Sequence, residues 1–223
     1  MNKTIFTVLS GLILCVHCFA QQNKFKPEFS IGPFAGITLS KVSFSPKVKE
    51  NYLPGLTVGA KFRYISENHL GLLLEPNYCI VGWKEDFWDY DPNGNLNYSR
   101  SLHYLEIPFM THVYFGDEQR VFINLGPLAR FLIGEKETCN FSSDNAPNTN
   151  GSGAYGVPAE HTVDYGLAGG IGIELRTKAG AFMLEGRYYY GLADIFNNHK
   201  KDYYAKSANN ILSVTLAWML PVK

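Results

Sequence analysis

The sequence predicts an all-β protein: an eight-stranded antiparallel up-and-down transmembrane β-barrel. Three observations predict it. The links between apolar–polar alternating stretches are alternately short and long. Ser66–His69, Gly116–Gln119 and Arg176–Gly180 are short, whereas Lys41–Leu53, Trp83–Arg100, Gly134–His161 and Ala193–Ala208 are long. Membrane barrels have tight periplasmic turns and longer outer loops, which produces this rhythm. The alternation has period two, as a strand with one apolar and one polar environment requires. The polar face carries charges of both signs, as a narrow, internally paired lumen would.

The strands follow in order. In the first, Phe29 to Ser40, Phe29, Ile31, Ala35, Ile37 and Leu39 face away from Ser30, Gly32, Gly36 and Thr38. The second, Gly55 to Tyr64, sets Leu56, Val58, Ala60, Phe62 and Tyr64 against Lys61 and Arg63. The third, Leu70 to Val81, turns Leu70, Leu72, Leu74, Tyr78 and Ile80 away from Glu75 and Asn77. The fourth, Leu102 to Phe115, opposes Leu105, Ile107, Phe109, Val113 and Phe115 to Glu106 and His112. The fifth, Val121 to Ile133, opposes an apolar face to Asn124 and Arg130. The sixth, Val163 to Leu175, opposes one to Asp164, Glu174 and several glycines. The seventh, Ala181 to Leu192, opposes Phe182, Leu184, Tyr188 and Tyr190 to Glu185 and Arg187. The eighth, Asn210 to Leu220, opposes Leu212, Val214, Leu216, Trp218 and Leu220 to Ser213, Thr215 and Ala217. Segments of this length cross a bilayer when tilted.

The polar face decides between a soluble ligand-carrying barrel and a membrane barrel. The first keeps its apolar face inside; the second inverts it. Lys61, Arg63, Glu75, Glu106, Arg130, Asp164, Glu174, Glu185 and Arg187 all fall on the polar face. Each would be costly to bury alone, so their mixed signs predict a packed, salt-bridged lumen. With the N-terminus in the periplasm, Phe29, Tyr64, Phe115 and Trp218 fall at the lower membrane edge. Tyr78, Phe131, Tyr165 and Tyr190 fall at the upper edge. Two aromatic belts are what a membrane barrel presents at its interfaces.

The N-terminus reads as a secretory signal. Lys3 supplies the positive region, Ile5 to Val16 the short apolar core, and Cys18-Phe19-Ala20 the cleavage site before Gln21. Acylation at Cys15 or Cys18 is disfavoured, because Leu14 and His17 stand where a small residue is needed. The division is therefore residues 1–20 signal, 21–28 an N-terminal periplasmic segment, and 29–223 barrel. Lys plus Arg and Asp plus Glu are 20 each, so the balance gives no support for nucleic acid or another strongly charged partner. After the signal, Cys79 and Cys139 are left. An oxidising compartment permits a disulfide between them, and two separate small hydrophobes is the equally open alternative.

Tyr104-Leu105-Glu106-Ile107-Pro108, Asn124-Leu125-Gly126-Pro127, Asp164 to Gly172 and Glu185 to Leu192 resemble the PorT-type outer-membrane β-barrel family of Gram-negative bacteria. The resemblance spans nearly the whole mature chain. It implies an eight-stranded barrel inserted by the barrel-assembly machinery, mostly without assigned activity. One branch serves a protein-secretion system, and nothing in this sequence singles that branch out. The chain departs from many such barrels in ending Trp218-Met219-Leu220-Pro221-Val222-Lys223, without a terminal aromatic residue.

Chemistry-bearing patterns are sparse. The glycines of Gly166 to Gly172 continue as strand rather than opening a helix, so they read as room for bulky neighbours, not a phosphate cradle. Glu185 and Arg187 read as lumen ion pairs. His161 or His199 with Ser99, Ser101, Ser142 or Ser152 would be a hydrolase pair, but all except Ser101 fall in outer loops. Asp86, Asp89 and Asp91 match no complete calcium loop. No catalytic residue, metal ligand or cofactor is predicted. The expected protein is a monomer embedded in outer-membrane lipid, with a structural or interactive role through loops that meet an unidentified surface partner. A secretion accessory, a lipid-modifying enzyme and a small-solute channel are the alternatives.

Overall fold

The computed structural model describes residues 25–89, 91, 93–141, 155–198 and 204–222. Ten strands make one closed antiparallel sheet: β1 (Glu28–Ser45), β2 (Glu50–Asn51), β3 (Leu53–Glu67), β4 (Leu70–Leu74), β5 (Asn77–Glu85), β6 (Tyr98–Phe115), β7 (Gln119–Cys139), β8 (Val163–Thr177), β9 (Gly180–Asp194) and β10 (Lys206–Val222). Consecutive long strands pair, and β1 pairs with β10 to close the ring. The ring has eight staves, because β4 and β5 are two halves of one stave and β2 is a short addition beside β5.

The break in that stave differs from the unbroken third strand predicted. Glu75 and Pro76 lie between its halves, and Pro76 has no amide hydrogen to give the ladder. Neighbouring strands bridge the gap: the Ala60 amide donates to the Pro76 carbonyl at 3.0 Å and the Glu75 amide to the Pro108 carbonyl at 3.2 Å.

Stagger sets the barrel's width. Starting at Phe29, partners lead through Tyr64, Leu72, Thr111, Leu125, Gly169, Tyr188 and Leu212 back to Leu39, ten residues further along β1. Such a shear tilts strands by about 35–45°, and eight of them enclose just enough room for side chains.

The start of β1, the end of β10 and the three tight turns lie at one end. Gly116 and Gly180 take positive φ there, and His69 takes the left-handed conformation at φ 69°. The other end carries the long connections, which marks it as the outer end. Here the strands run further than predicted. β6 begins at Tyr98 and β7 ends at Cys139, with Tyr98 paired to Cys139. β10 starts at Lys206, paired to Ser45. The connections shrink accordingly. The physical reason is that the protruding wall has an apolar filling of its own, so its ladder continues above the bilayer.

The predicted faces are all observed. Ile37, Leu56, Leu105, Leu125, Ile171, Leu184 and Leu216 point outward and are exposed, making a continuous apolar outer band. The aromatic residues Phe29, Tyr64, Phe115 and Trp218 are exposed at the turn end, and Phe131, Tyr165 and Tyr190 at the outer end, with Tyr78 half-buried. Phe29 pairs with Tyr64, and Trp218 stacks on Phe182. Residues 1–20, the predicted signal, lie outside the described residues.

Candidate functional site

The lumen holds three layers. Nearest the turns, Phe34, Ile65, Tyr114, Phe122, Met183 and Met219 form an apolar floor. Glycines of β8 make room for it. A methyl group on Gly172 would stand 2.3 Å from Phe122 Cζ, one on Gly170 2.6 Å from Glu185 Oε1, and one on Gly166 2.8 Å from the Tyr189 ring. These glycines therefore serve packing.

The middle layer gathers all nine charged residues of the polar face. Lys61 lies 2.9 Å from Glu75 and 3.0 Å from Glu185, while Arg187 lies 2.6 Å from Glu75 and 2.8 Å from Glu185. Two cations thus face two carboxylates in a closed square. Arg63 pairs with Glu174. Arg130 sits 2.9 Å from Glu106 and 3.6 Å from Asp164, its guanidinium 4.0 Å over the Tyr189 ring. That last group has one cation for two carboxylates, and hydrogen bonds from Tyr189 and Asn209, each 2.9 Å, satisfy Asp164. Nearby, the His112 ring and Asn124 hydrogen-bond at 2.7 Å, both fully buried. The void beside Glu106, Arg130 and Arg187 amounts to about 30 Å³, polar-lined and roomy enough for ordered water.

The third layer lies above the upper girdle and was not foreseen as a unit. Phe44, Trp83, Phe87, Tyr98, Phe196 and Tyr204 converge, with Phe141 and Tyr155 packed on them. Phe44 and Tyr204 centroids are 4.5 Å apart, Tyr98 and Tyr155 4.8 Å. Arg100 is buried among them, 5.7 Å from both the Trp83 and Phe196 rings and 3.2 Å from Glu137. The Tyr155 hydroxyl donates to Glu85 at 2.6 Å. The signal was present in the sequence: the alternation of Val81, Trp83 and Glu85 continues that of Cys79. Trp83 and Glu85 fall in the connection that the sequence predicts after Val81, and the strand in fact continues through Glu85.

Burial raises Glu85 to about 7, only partly offset by the Tyr155 hydroxyl. Burial likewise raises Glu50 to about 7, against the Val42 amide that donates to it at 3.0 Å. Burial also works against ionised Glu137, but the Gly156 amide, Tyr98 hydroxyl and Arg100 guanidinium overcome it and hold this carboxyl below the ordinary range.

Other sequence candidates are dispersed. Cys79 is buried and Cys139 exposed, and both are free thiols, so the disulfide alternative is corrected. They stand on different strands, Cys79 opposite Tyr104 and Cys139 opposite Tyr98. His161 Nδ1 donates to the Asp194 carbonyl, 2.8 Å away, rather than engaging a serine. His199, Ser142 and Ser152 lie outside the described residues. Asp89 pairs with Lys49, Asp86 accepts from the Trp88 amide and Asp91 from the Leu96 amide, so the three acids are spent separately. Among the described residues no cluster of histidine, cysteine and acid is arranged to hold a metal.

A lipid-facing apolar band, two aromatic belts, short turns at one end and an inverted, charged interior define an outer-membrane β-barrel protein. The chain belongs to the outer membrane protein beta-barrel domain family, whose model matches residues 19–197. Solved structures with similarity include Ail, the attachment invasion locus protein of Yersinia pestis, in complex with the heparin analogue sucrose octasulfate. It is 13% identical, with 86% of this chain and 99% of that one covered and a TM-score of 0.43. Neisserial surface protein A is 12% identical, covering 87% and 99%, at 0.44. OprG of Pseudomonas aeruginosa is 14% identical, covering 87% and 95%, at 0.46. No curated protein matches the sequence.

Proposed function

We propose that this barrel is a non-enzymatic surface protein that contacts a partner through its outer end and conducts no solute. One observation carries the reading: every level of the lumen is occupied, by an apolar floor, an ion-paired middle and an aromatic cap. An ion crossing the middle layer would have to displace Arg187 from two carboxylates. The cap then serves as a rigid platform. It anchors Phe87 and Phe141 from two outer connections against each other at 5.7 Å, and leaves Trp88 on the surface, 65% exposed. Exposed aromatics on a rigid support suit protein recognition.

The purified barrel in planar lipid bilayers should give no unitary conductance steps, and Trp88→Ala should weaken recovery of a surface partner from intact outer membranes. Ordered single-channel steps would overturn the closed lumen. We also infer kinship with PorT-type barrels from Tyr104–Pro108 and Asn124–Pro127. Co-purification with secretion components would favour the accessory role.

A further inference from the structure

On the outer wall, at the seam where the ring closes, Lys41, Asn210 and Tyr190 are successive hydrogen-bonded partners on β1, β10 and β9. All three side chains project away from the lumen. One step below, Leu39, Leu212 and Tyr188 form the next outward row, exposed and largely apolar. The seam thus changes from hydrocarbon-facing to polar at the height of the upper aromatic belt.

The connection from β1 to β3 overhangs this row and encloses a groove of about 700 Å³. The overhang is held by the β2–β5 pairing, by Glu50 accepting from the Val42 amide, and by the Asp86 amide donating to the Lys49 carbonyl at 2.9 Å. Lys41 and Lys47 line the groove, and Lys206 stands beside it with its ammonium 5.7 Å over the Tyr190 ring. Lys49 is neutralised by Asp89 at 3.0 Å. Lys41, Lys47 and Lys206 have no carboxylate within ion-pairing distance among the described residues. Glu50 is the one acid in the lining; it accepts from the Val42 amide and feels the nearby Lys41 charge without an ion-pair contact, and Lys41 lies 4.3 Å over the Tyr52 ring.

We propose that this groove binds the phosphate-bearing headgroup of an outer-leaflet lipid, with one acyl chain lying along Leu39 and Leu212. Charge complementarity and height select this occupant. Unpaired ammonium groups at a membrane interface attract anionic headgroups, at about fivefold in affinity per lysine. An apolar row directly beneath them takes the chain. A soluble protein would have to reach down among headgroups to fill the same space.

The test titrates the folded, detergent-solubilised full-length barrel with diphosphorylated lipid A and with the same lipid stripped of its phosphates. Bound lipid is counted by native mass spectrometry. Expected is a preference of at least about tenfold for the phosphorylated form. The triple variant Lys41→Gln, Lys47→Gln, Lys206→Gln should lose it. A control triple of Lys26→Gln, Lys136→Gln and Lys178→Gln should keep it. Lys47→Gln alone, in the connection rather than the wall, should weaken it about fivefold, which keeps the test decisive if the triple variant folds poorly. Equal binding of the two lipids, or an unchanged preference in the seam variants, overturns the site. Displacement of the lipid by excess inorganic phosphate overturns the lipid as occupant and leaves a free-anion site.

Discussion

Arg187 shows what a single side chain does in a sealed lumen. With Lys61 it balances Glu75 and Glu185; the other three are buried and Arg187 is nearly so. Arg187→Met leaves one cation for two carboxylates. It should destabilise the barrel by about 3–5 kcal/mol, the usual cost of stranding a buried charge, read by urea unfolding in lipid vesicles. Adding Glu185→Gln restores neutrality, so the double variant should recover much of the loss. A double variant as unstable as the single one would show that packing, not charge balance, holds the square. The cap carries a pH dependence of its own. Glu50 and Glu85 have folded values near 7, above their unfolded values. The closed cap therefore binds more protons than the opened one between about pH 4.5 and 7, and its stability falls as pH rises through that window. Glu137 is depressed, so its contribution is lost only below the ordinary carboxylate range. Hydrogen exchange of the Asp86 amide, corrected for intrinsic rate, should be slower at pH 5 than at pH 7.5. Glu85→Gln with Glu50→Gln should flatten the profile.

At the scale of elements, β8 and the broken β4–β5 stave shape the interior. The β8 glycines leave space that Phe122, Tyr189 and Glu185 fill from β7 and β9. A Cβ at Gly172 would meet the Leu184 carbonyl oxygen and Phe122 Cζ, each at 2.3 Å, so Gly172→Ala must shift backbone as well as ring and should cost at least about 1–3 kcal/mol, the range for overpacking a core. The same urea titration measures it, and Phe122→Leu in the Gly172→Ala background should restore part of the loss. A neutral Gly172→Ala would mean the floor is looser than its contacts indicate. The gap at Glu75 and Pro76 has a different effect. It falls where Glu75 meets both Lys61 and Arg187, so the ladder's discontinuity coincides with the ion-paired square.

For the whole molecule, orientation is the property that matters. Cys139 is exposed near the outer end of β7, and Cys79 is buried in the wall's inner face. A membrane-impermeant maleimide applied to intact cells should label the wild type and not Cys139→Ser. A cysteine placed at Asp117, in a tight turn, should react only after the outer membrane is opened. Labelling at Asp117→Cys in sealed cells would mean that the barrel is inserted the other way up.

The inversion of faces and the number of staves were legible in the chain alone. These depend on period-two patterning and on connection length, which are local properties of the chain. It also placed Lys61, Arg63, Glu75, Glu106, Arg130, Asp164, Glu174, Glu185 and Arg187 together on one face. Which cation meets which carboxylate came only from the closed ring, because the ten-residue stagger brings Lys61 of β3 across the lumen to Glu185 of β9. The cap was legible only in the alternation that Trp83 and Glu85 continue beyond Val81. Trp83, Tyr98, Phe141, Phe196 and Tyr204 come from separate connections and strand ends, and only tertiary packing shows that they share one apolar space. That filling is what lets the strands extend beyond the bilayer. Patterning can mark a residue as inward-facing, but ring closure and stagger decide what it meets there.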